Sequence, residues 1–452
     1  MFRRKIFDAL SEWKNSGMCR KKAAVIKGLR QVGKTFVVKE FARTNYQNTV
    51  YIDFKKTVSA KTAFDGDIDV DGITMRLTAV LPDAKFISGK TVLVFDEIQE
   101  CARARFSIKS FIEDGRYDVI ATGSLLGLRG YNRKDRDIPV GFEHTIRMYP
   151  LDFEEFLWAR GIPPQVMDYV KECFNARKAV DEPIHSAMLS HFREYICVGG
   201  MPAVVSTFIQ RNDMNAVRTE QRDLIEQYRD DFGKYLDQNE NEVTDVEMLS
   251  RINQVFDSIP SQLSKENKKF QYSVLSKNAR GKTYSAAIQW LVDYGLVNKS
   301  YNLKSLELPL NGNKDDSVFK IYLTDAGLLM SMLDRGVYSE ILSGDLYMYK
   351  GAVFENVVSD ILSKNGVKLY YYRKDSGLEI DFISVYERKA CLIEVKSNTG
   401  NTKSAKTLLK EKDSYSVEIC FRFGAYNVGY MNGILTLPVY MAPIVAAELS
   451  DE

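Results

Sequence analysis

The 452-residue sequence lacks the features that define several special classes of protein. No apolar run approaches the roughly 18 to 20 residues of a membrane-spanning helix, and the start carries Arg3, Arg4 and Lys5 where a secretory signal has its apolar core. The six cysteines form no CxxC pair and the three histidines have no metal-ligand spacing, which disfavours a disulfide scaffold and a structural zinc site. No internal repeat indicates a solenoid or propeller. We expect a cytoplasmic protein with no membrane partner.

Composition and charge are those of an ordinary globular chain. Hydrophobic residues make up 45% and charged residues 27% of the sequence, which is ample material for buried cores. The 62 Lys and Arg against 60 Asp and Glu leave a formal net charge of +2. A nucleic-acid partner would therefore have to be held by local basic patches.

The pattern of apolar and polar runs along the sequence predicts an α/β protein of four segments. Residues 1–155 alternate short β-rich runs with mixed segments, which is typical of a parallel sheet with helices on both faces. We expect a helical lid or connector at 156–240, a winged-helix domain at 241–335 and a second α/β domain at 336–452. The candidate strands of the first domain are 23–26, 49–54, 91–95, 118–121 and 145–148.

A complete GxxxxGKT string follows the first candidate strand and precedes a predicted helix. Such loops turn backbone N–H groups towards phosphates at a helix N-terminus, with the lysine at the β- and γ-phosphates and the hydroxyl at Mg²⁺. A chance glycine-rich turn is the alternative, and the strand–loop–helix context argues against it. The predicted ATP-binding residues are Gly28, Leu29, Arg30, Gln31, Val32, Gly33, Lys34 and Thr35, of which Thr35 would also bind Mg²⁺.

Two further strands end in polar residues that suit the same site. Asp96 would hold Mg²⁺ and Glu97 would polarise the attacking water, although an acidic pair can also merely cap a strand. Ser124 follows the next strand and could sense the γ-phosphate, with a simple turn as the alternative. An arginine that neutralises transition-state charge is expected, and the candidates are Arg129, Arg133, Arg136 and Arg147.

The last segment contains a second candidate site. Asp381 and Glu394 lie on two predicted neighbouring strands, and Lys396 follows Glu394 by two residues. If the carboxylates face the same side, they could hold one or two divalent cations beside the lysine, as in a phosphodiester-cleaving site. Glu355, on a predicted helix, could complete the metal shell. The alternative is a Glu/Lys ladder on a solvated strand face.

Basic residues precede a predicted helix at 283–294 in the middle of the chain. Lys265, Lys268 and Lys269, followed by Lys277, Arg280 and Lys282, could dock DNA phosphates beside a recognition helix. Winged helices also serve as protein-contact domains, and both alternatives stay open.

With these motifs in place, the chain resembles a bacterial and archaeal family of AAA-type ATPases that carry a C-terminal domain of unknown function. The resemblance implies a P-loop domain of the additional-strand type and a terminal domain similar to restriction-endonuclease-like folds. It supports Lys34, Thr35, Asp96, Glu97 and Ser124 in the roles given above, and it places Glu355, Asp381, Glu394 and Lys396 at the nuclease-like motif. It carries no settled activity. The strings that carry it are 28–35, 95–99, 122–124, 149–157, 199–202, 322–329 and 394–397.

Two functions of different classes fit these features. The first is a Mg²⁺-dependent ATPase whose nucleotide cycle is coupled to a nuclease-like domain that acts on DNA. The second is an ATP-dependent switch that binds a protein partner through a catalytically silent nuclease-like fold. A kinase or GTPase fits less well, because Asp96 and Glu97 suit the activation of water. A homo-oligomer stays open.

Overall fold

The computed structural model describes residues 2–123, 140–236, 242–265, 268–277, 279–344, 350–396, 403–411, 415 and 417–449. The chain folds as two compact units, Arg3–Pro150 (unit 1) and Leu151–Glu452 (unit 2). No helix within the described ranges is long and apolar enough to cross a membrane.

Unit 1 is built on a five-stranded parallel sheet with flanking helices, which confirms the predicted α/β fold. β3 and β4 are buried at every position, as expected for strands covered on both faces. The elements of unit 1 are α1 Ile6–Asn15, β1 Ala23–Lys27, α2 Lys34–Asn45, β2 Asn48–Asp53, α3 Val70–Val80, β3 Thr91–Asp96, α4 Ala102–Asp114, β4 Asp118–Gly123 and β5 Glu143–Arg147.

The order of the strands brings the predicted site residues to one edge of the sheet. The order is β2-β3-β4-β1-β5, so β4 lies between β1, which leads into the glycine-rich loop, and β3, which ends at Asp96. This is the P-loop arrangement with an additional strand. Ligands of such open parallel sheets bind outside the carboxyl ends of the strands.

Aromatic side chains fill much of the core of unit 1. Phe95 of β3 packs against Phe54, Phe64 and Phe111 with ring centroids 5.6 to 6.1 Å apart. These tilted and edge-on contacts add to the burial of apolar area. Because Phe95 immediately precedes Asp96, this packing fixes the end of the strand that carries the acidic residues.

Unit 2 begins with a run of helices, as the sequence predicts for residues 156–240. α11, predicted at 283–294, buries Ala287, Trp290, Leu291 and Tyr294 at helical spacing. The helices of unit 2 are α5 Phe153–Ala159, α6 Pro164–Asn175, α7 Glu182–Val198, α8 Pro202–Arg211, α9 Met214–Leu236, α10 Glu242–Leu263, α11 Gly281–Tyr294, α12 Ala326–Ser331, α13 Arg335–Ser343, α14 Lys350–Lys364, α15 Lys403–Lys410 and α16 Ala442–Glu448.

An eight-stranded mixed sheet joins the middle and the end of the chain. The hairpin after α11, β6 with β7, follows the pattern on which the winged helix was predicted, but β6 also pairs in parallel with β8. The strands of the two predicted segments therefore share one sheet, in the order β12-β13-β11-β10-β9-β8-β6-β7. Its strands are β6 Val297–Leu303, β7 Lys314–Leu323, β8 Tyr370–Arg373, β9 Glu379–Tyr386, β10 Lys389–Val395, β11 Val417–Gly424, β12 Gly429–Met431 and β13 Ile434–Pro438.

Buried polar contacts fix the start of unit 2. The backbone N–H of Leu151 donates to the carbonyl of Gly200 at 2.7 Å, and the N–H of Gly200 donates to Asp325 at 2.6 Å. A Cβ on Gly200 would come within 2.0 Å of the carbonyl oxygen of Leu151, so only glycine fits there. The hydroxyl of Tyr195 also donates to the Leu151 carbonyl, at 3.0 Å. These contacts give a structural reason for two of the strings on which the family resemblance rests, 199–202 and 322–329.

Candidate functional site

The glycine-rich loop of unit 1 connects β1 to α2. At its start, a Cβ on Gly28 would lie 2.0 Å from the carbonyl oxygen of Met148, so the close approach of these backbones requires glycine. At its end, Gly33 has a φ of +95°, and Gln31 between them has a φ of +66°. The left-handed residues curl the loop at the N-terminus of α2, which is the geometry of an anion cradle.

Lys34 lies inside this loop and is 6% exposed. Its ammonium group donates to the carbonyl oxygens of Gly28 at 2.8 Å and of Leu29 at 2.7 Å. Burial lowers the pKa of Lys34 to about 8, and the nearby carboxylates of Glu97 and Asp96 oppose that shift. Lys34 is therefore held by the loop carbonyls close to both acidic residues.

The buried carboxylate of Asp96 accepts hydrogen bonds from three hydroxyl groups. Thr35 donates to Oδ2 at 2.8 Å, Tyr51 donates to the same oxygen at 2.6 Å, and Thr122 donates to Oδ1. Asp96 is 2% exposed, so these donors stabilise a charge that burial would otherwise penalise. A hydroxyl and a carboxylate are ligands that Mg²⁺ accepts, and their contact at the end of the phosphate loop fits the predicted metal site.

Glu97 directly follows Asp96 in a left-handed conformation, with a φ of +53°. The side-chain amide of Gln99 donates to its carboxylate. Non-glycine residues with positive φ are uncommon and concentrate at functional sites. The contact with Gln99 gives the glutamate a defined direction at the edge of the sheet.

The remaining predicted residues of this site divide into two groups. Ser124, Arg129, Arg133 and Arg136 lie outside the described residues, and their roles stay predictions. Arg147 is exposed at the end of β5, in register with Lys27 of β1, and thus lies at the same edge of the sheet as the loop.

The structure brings Asp381, Glu394 and Lys396 together in unit 2. β9 and β10 are antiparallel with Phe382 opposite Ile393, which makes Asp381 and Glu394 the next opposing pair, on one face. The ammonium of Lys396 lies 3.7 Å from Asp381, and the backbone N–H of Val395 donates to Asp381 at 2.8 Å. Although burial opposes it, the neighbouring lysines hold the pKa of Asp381 below its ordinary value.

Glu394 differs from Asp381 in its surroundings. It is 2% exposed, and burial raises its pKa to about 7 although Lys396 opposes the shift. It accepts a hydrogen bond from the backbone N–H of Ala405. Its Oε2 atom has no hydrogen-bond partner in the described part of the chain.

Glu355 of α14 forms its own ionic contacts. It pairs with Lys268, lies 3.9 Å from the buried ammonium of Lys320, and accepts a hydrogen bond from Tyr322 at 3.2 Å. Lys320 also pairs with Glu379 at 2.8 Å. Across the described ranges, no group of three or more Asp, Glu, His and Cys side chains is arranged to hold a metal ion. Glu355 and Asp381 are paired with lysine side chains instead of with further metal-ligating groups.

The predicted DNA-docking lysines are placed differently from one another. Lys268 is engaged with Glu355, and Lys265 donates to Gln271 at 3.0 Å. Lys277, Arg280 and Lys282, which precede α11, are exposed.

Several residues of the two sites were not foreseen in their roles. Tyr51 and Thr122 at Asp96 and Lys320 at Glu355 act through contacts between distant segments, whereas Gln99 contacts Glu97 from two residues further along the chain. Thr122 carried the strongest available signal, because it is the last residue but one of a buried strand beside β3.

Comparisons with known proteins support the ATPase assignment of unit 1. Residues 20–157 match a family model described as an AAA domain, residues 189–338 match DUF8612 and residues 350–441 match DUF4143, both domains of unknown function. The second match crosses the predicted boundary at residue 240. No curated protein matches the chain.

Among solved structures, the chain is similar to a Walker-type ATPase of Pyrococcus abyssi, with 11% identity over 74% of this chain and 96% of that one and a TM-score of 0.41. It is also similar to a STAND signal transduction ATPase with a tetratricopeptide repeat sensor from Pyrococcus horikoshii, with 12% identity, 78% and 45% coverage and a TM-score of 0.25. Such distant similarity carries no argument about activity. The sheet and the family match identify unit 1 as a P-loop ATPase domain of the AAA type.

Proposed function

We propose that the chain is a Mg²⁺-dependent ATPase whose nucleotide cycle controls its C-terminal α/β domain. The observation that carries the first part is the hydrogen bond between Thr35 and Asp96, next to a buried Lys34 at the end of the phosphate loop. Lys34 and Thr35 begin α2 and Asp96 ends β3, and ATP chemistry requires all three at one place.

Each residue has a defined task in this proposal. Lys34 exchanges its bonds to Gly28 and Leu29 for bonds to the phosphates, and the Oγ1 of Thr35 and the carboxylate of Asp96 would hold Mg²⁺. When bound, the metal ion neutralises charge on the phosphate oxygens. Glu97 orients the attacking water and accepts its proton, while Gln99 keeps the glutamate in place.

Turnover of ATP in the presence of Mg²⁺ tests the proposal. Lys34→Ala should abolish both binding and turnover, whereas Glu97→Gln should bind ATP and lose turnover. Lys109→Ala, on the exposed side of α4, is the matched control and should behave as wild type. Undiminished turnover by Lys34→Ala would contradict the proposal.

The opposing carboxylates of Asp381 and Glu394 favour metal-dependent cleavage of DNA as the function of the C-terminal domain. The two carboxylates oppose each other, Lys396 lies beside Asp381, and a buried oxygen of Glu394 faces no donor in the described part of the chain. A buried carboxyl oxygen left without a donor suits a ligand site better than a packed core.

The pairing of Glu355 with Lys268 and Lys320 favours the second candidate function, an ATP-dependent switch that binds a protein partner. Ammonium groups beside the carboxylates already neutralise much of the charge that would attract a divalent cation. In this case the nuclease-like domain is a docking module.

One assay separates the two candidates. Supercoiled, linear, single-stranded and branched DNA are incubated with Mg²⁺ or Mn²⁺, with and without ATP, and wild type is compared with Lys396→Ala and Lys34→Ala. Cleavage that requires Lys396 supports the nuclease, and its loss in Lys34→Ala would show that ATP controls it. No cleavage of any substrate, with ATP turnover intact, supports the switch.

A further inference from the structure

Arg4 connects the phosphate loop to the segment around Tyr149, which lies near the C-terminal end of unit 1 in the sequence. Its Nη1 donates to the carbonyl oxygen of Val32 at 3.1 Å, and its Nη2 donates to the carbonyl oxygen of Tyr149 at 2.6 Å. Arg4 is 7% exposed. The two hydrogen bonds offset part of the cost of burying the guanidinium, and they fix the positions of two main-chain carbonyls.

The carbonyl of Val32 belongs to the same peptide unit as the N–H of Gly33. That peptide is trans, so its C=O and N–H point in opposite directions. By holding the Val32 oxygen, Arg4 also sets the direction of the Gly33 N–H. In a loop of this type the backbone N–H groups are the donors that receive phosphate oxygens.

The glycine at position 33 restricts the direction of this peptide only weakly. Gly33 has a φ of +95° and no Cβ to restrict it, so the preceding peptide can rotate into another orientation at little cost. A rotated peptide would turn a carbonyl oxygen towards the phosphates and remove a donor. An external anchor on the Val32 carbonyl prevents this rotation.

Arg4 is itself anchored at both ends. Its carbonyl accepts a hydrogen bond from Phe7 at 3.2 Å, at the start of α1, and that helix buries Ile6, Leu10 and Trp13. On the other side, the Tyr149 segment is fixed to β1, because the N–H of Met148 donates to the carbonyl of Lys27 at 2.7 Å. The guanidinium therefore joins the loop to two rigid parts of unit 1.

We propose that Arg4 is a positioning residue of the nucleotide site, which holds the Val32–Gly33 peptide in the orientation that receives the phosphates of ATP. This inference rests on the proposed ATPase function. It assigns Arg4 no contact with the nucleotide. Lysine has one nitrogen in place of the planar fork and cannot reproduce both bonds, although it keeps the charge.

The test measures the Kd for ADP, and kcat and KM for ATP, with the full chain. The variants are Arg4→Lys, which keeps the charge, and Arg4→Met, which keeps the length, with Arg3→Met as the control because Arg3 is the exposed neighbour. We expect the Kd for ADP and the KM for ATP to rise about tenfold in both Arg4 variants, with a smaller change in kcat. Hydrogen–deuterium exchange should show that ADP protects the loop amides in wild type and less in Arg4→Lys.

The possible results separate this inference from the function on which it rests. Wild-type Kd and KM in Arg4→Lys, with normal loop protection, overturn it and reduce the role of Arg4 to charge. A lower melting temperature with unchanged Kd and KM overturns it in favour of a purely structural role. If wild type itself shows no turnover that Lys34→Ala removes, the ATPase proposal fails, and this inference falls with it.

Discussion

The hydroxyl of Thr35 donates a 2.8 Å hydrogen bond to the carboxylate of Asp96, and so joins two motifs that lie 61 residues apart in the sequence. The contact spans the carboxyl edge of the sheet, because Thr35 is at the start of α2 and Asp96 ends β3. Tyr51 and Thr122 donate to the same carboxylate from the strands on either side. Asp96 is thus oriented by donors from three other elements before any ligand binds.

Removal of the Thr35 hydroxyl should therefore impair the use of Mg²⁺. We expect Thr35→Ala to lower kcat about 10- to 100-fold and to raise the Mg²⁺ concentration needed for half-maximal turnover. Thr35→Ser keeps the hydroxyl and should retain most of the activity. An exposed neighbour on the same helix, Phe36→Ala, serves as the control. Equal Mg²⁺ dependence in Thr35→Ala and wild type would contradict the role of this hydroxyl.

The lowered pKa of Lys34 predicts that ATP binding takes up a proton. Near pH 8 about half of the Lys34 side chains are neutral without nucleotide, since burial lowers the pKa to about 8, and phosphates favour the charged form. Calorimetric titration with ATP in two buffers of different ionisation enthalpy should show an uptake of roughly half a proton at pH 8 and almost none at pH 6. The same heat of binding in both buffers at pH 8 would rule this out.

The strands of unit 1 follow from sequence because each is a short apolar run between polar segments. The predicted runs at 23–26 and 91–95 became β1 and β3 with ends shifted by one residue, and the motifs that follow them are at the sheet edge as expected. The predicted strand at 145–148 begins two residues earlier, at Glu143, where its pairing with β1 starts. The position of such a strand can therefore be predicted from its own residues, whereas its exact ends depend on pairing with distant strands.

The contacts of Arg4 and Lys268 could not be predicted in the same way. Arg4 donates to the backbone carbonyls of Val32 and Tyr149, which have no sequence signature, and Lys268 meets Glu355 across 87 residues of chain. The pairing of β6 with β8 is likewise a parallel contact between distant strands. Such contacts depend on how the elements pack and not on the residues that flank them.

The buried carboxyl of Glu394 should make the stability of the protein depend on pH. Its pKa is raised to about 7, so the folded state binds more protons than the unfolded state between the ordinary value of 4.5 and about 7. Its favourable contribution is complete below 4.5 and is lost as the pH rises through 7. Glu394→Gln cannot ionise and should be more stable than wild type at pH 8, by on the order of 3 kcal/mol, and similar at pH 4.5.

Thermal unfolding of wild type and Glu394→Gln across this pH range measures the effect. Glu418→Gln is the matched control, because Glu418 lies on the adjacent strand β11 with an exposed side chain. An identical loss of stability with pH in wild type and Glu394→Gln would show that Glu394 is already ionised at neutral pH.

Lys268 is expected to stabilise unit 2 through its pairing with Glu355. Glu355 is 3% exposed, and the removal of one partner of a buried ion pair leaves an uncompensated charge. Because 15% of the Lys268 side chain is exposed, we expect Lys268→Met to cost about 1 to 3 kcal/mol, below the range of a fully buried pair. Lys265→Met, which removes a bond to Gln271, should cost much less.

The double variant Lys268→Met, Glu355→Gln should recover part of the loss, since the amide carries no charge that needs the lysine. Additive losses in the double variant would mean that the ion pair contributes nothing and that Glu355 is held by Lys320 and Tyr322 alone.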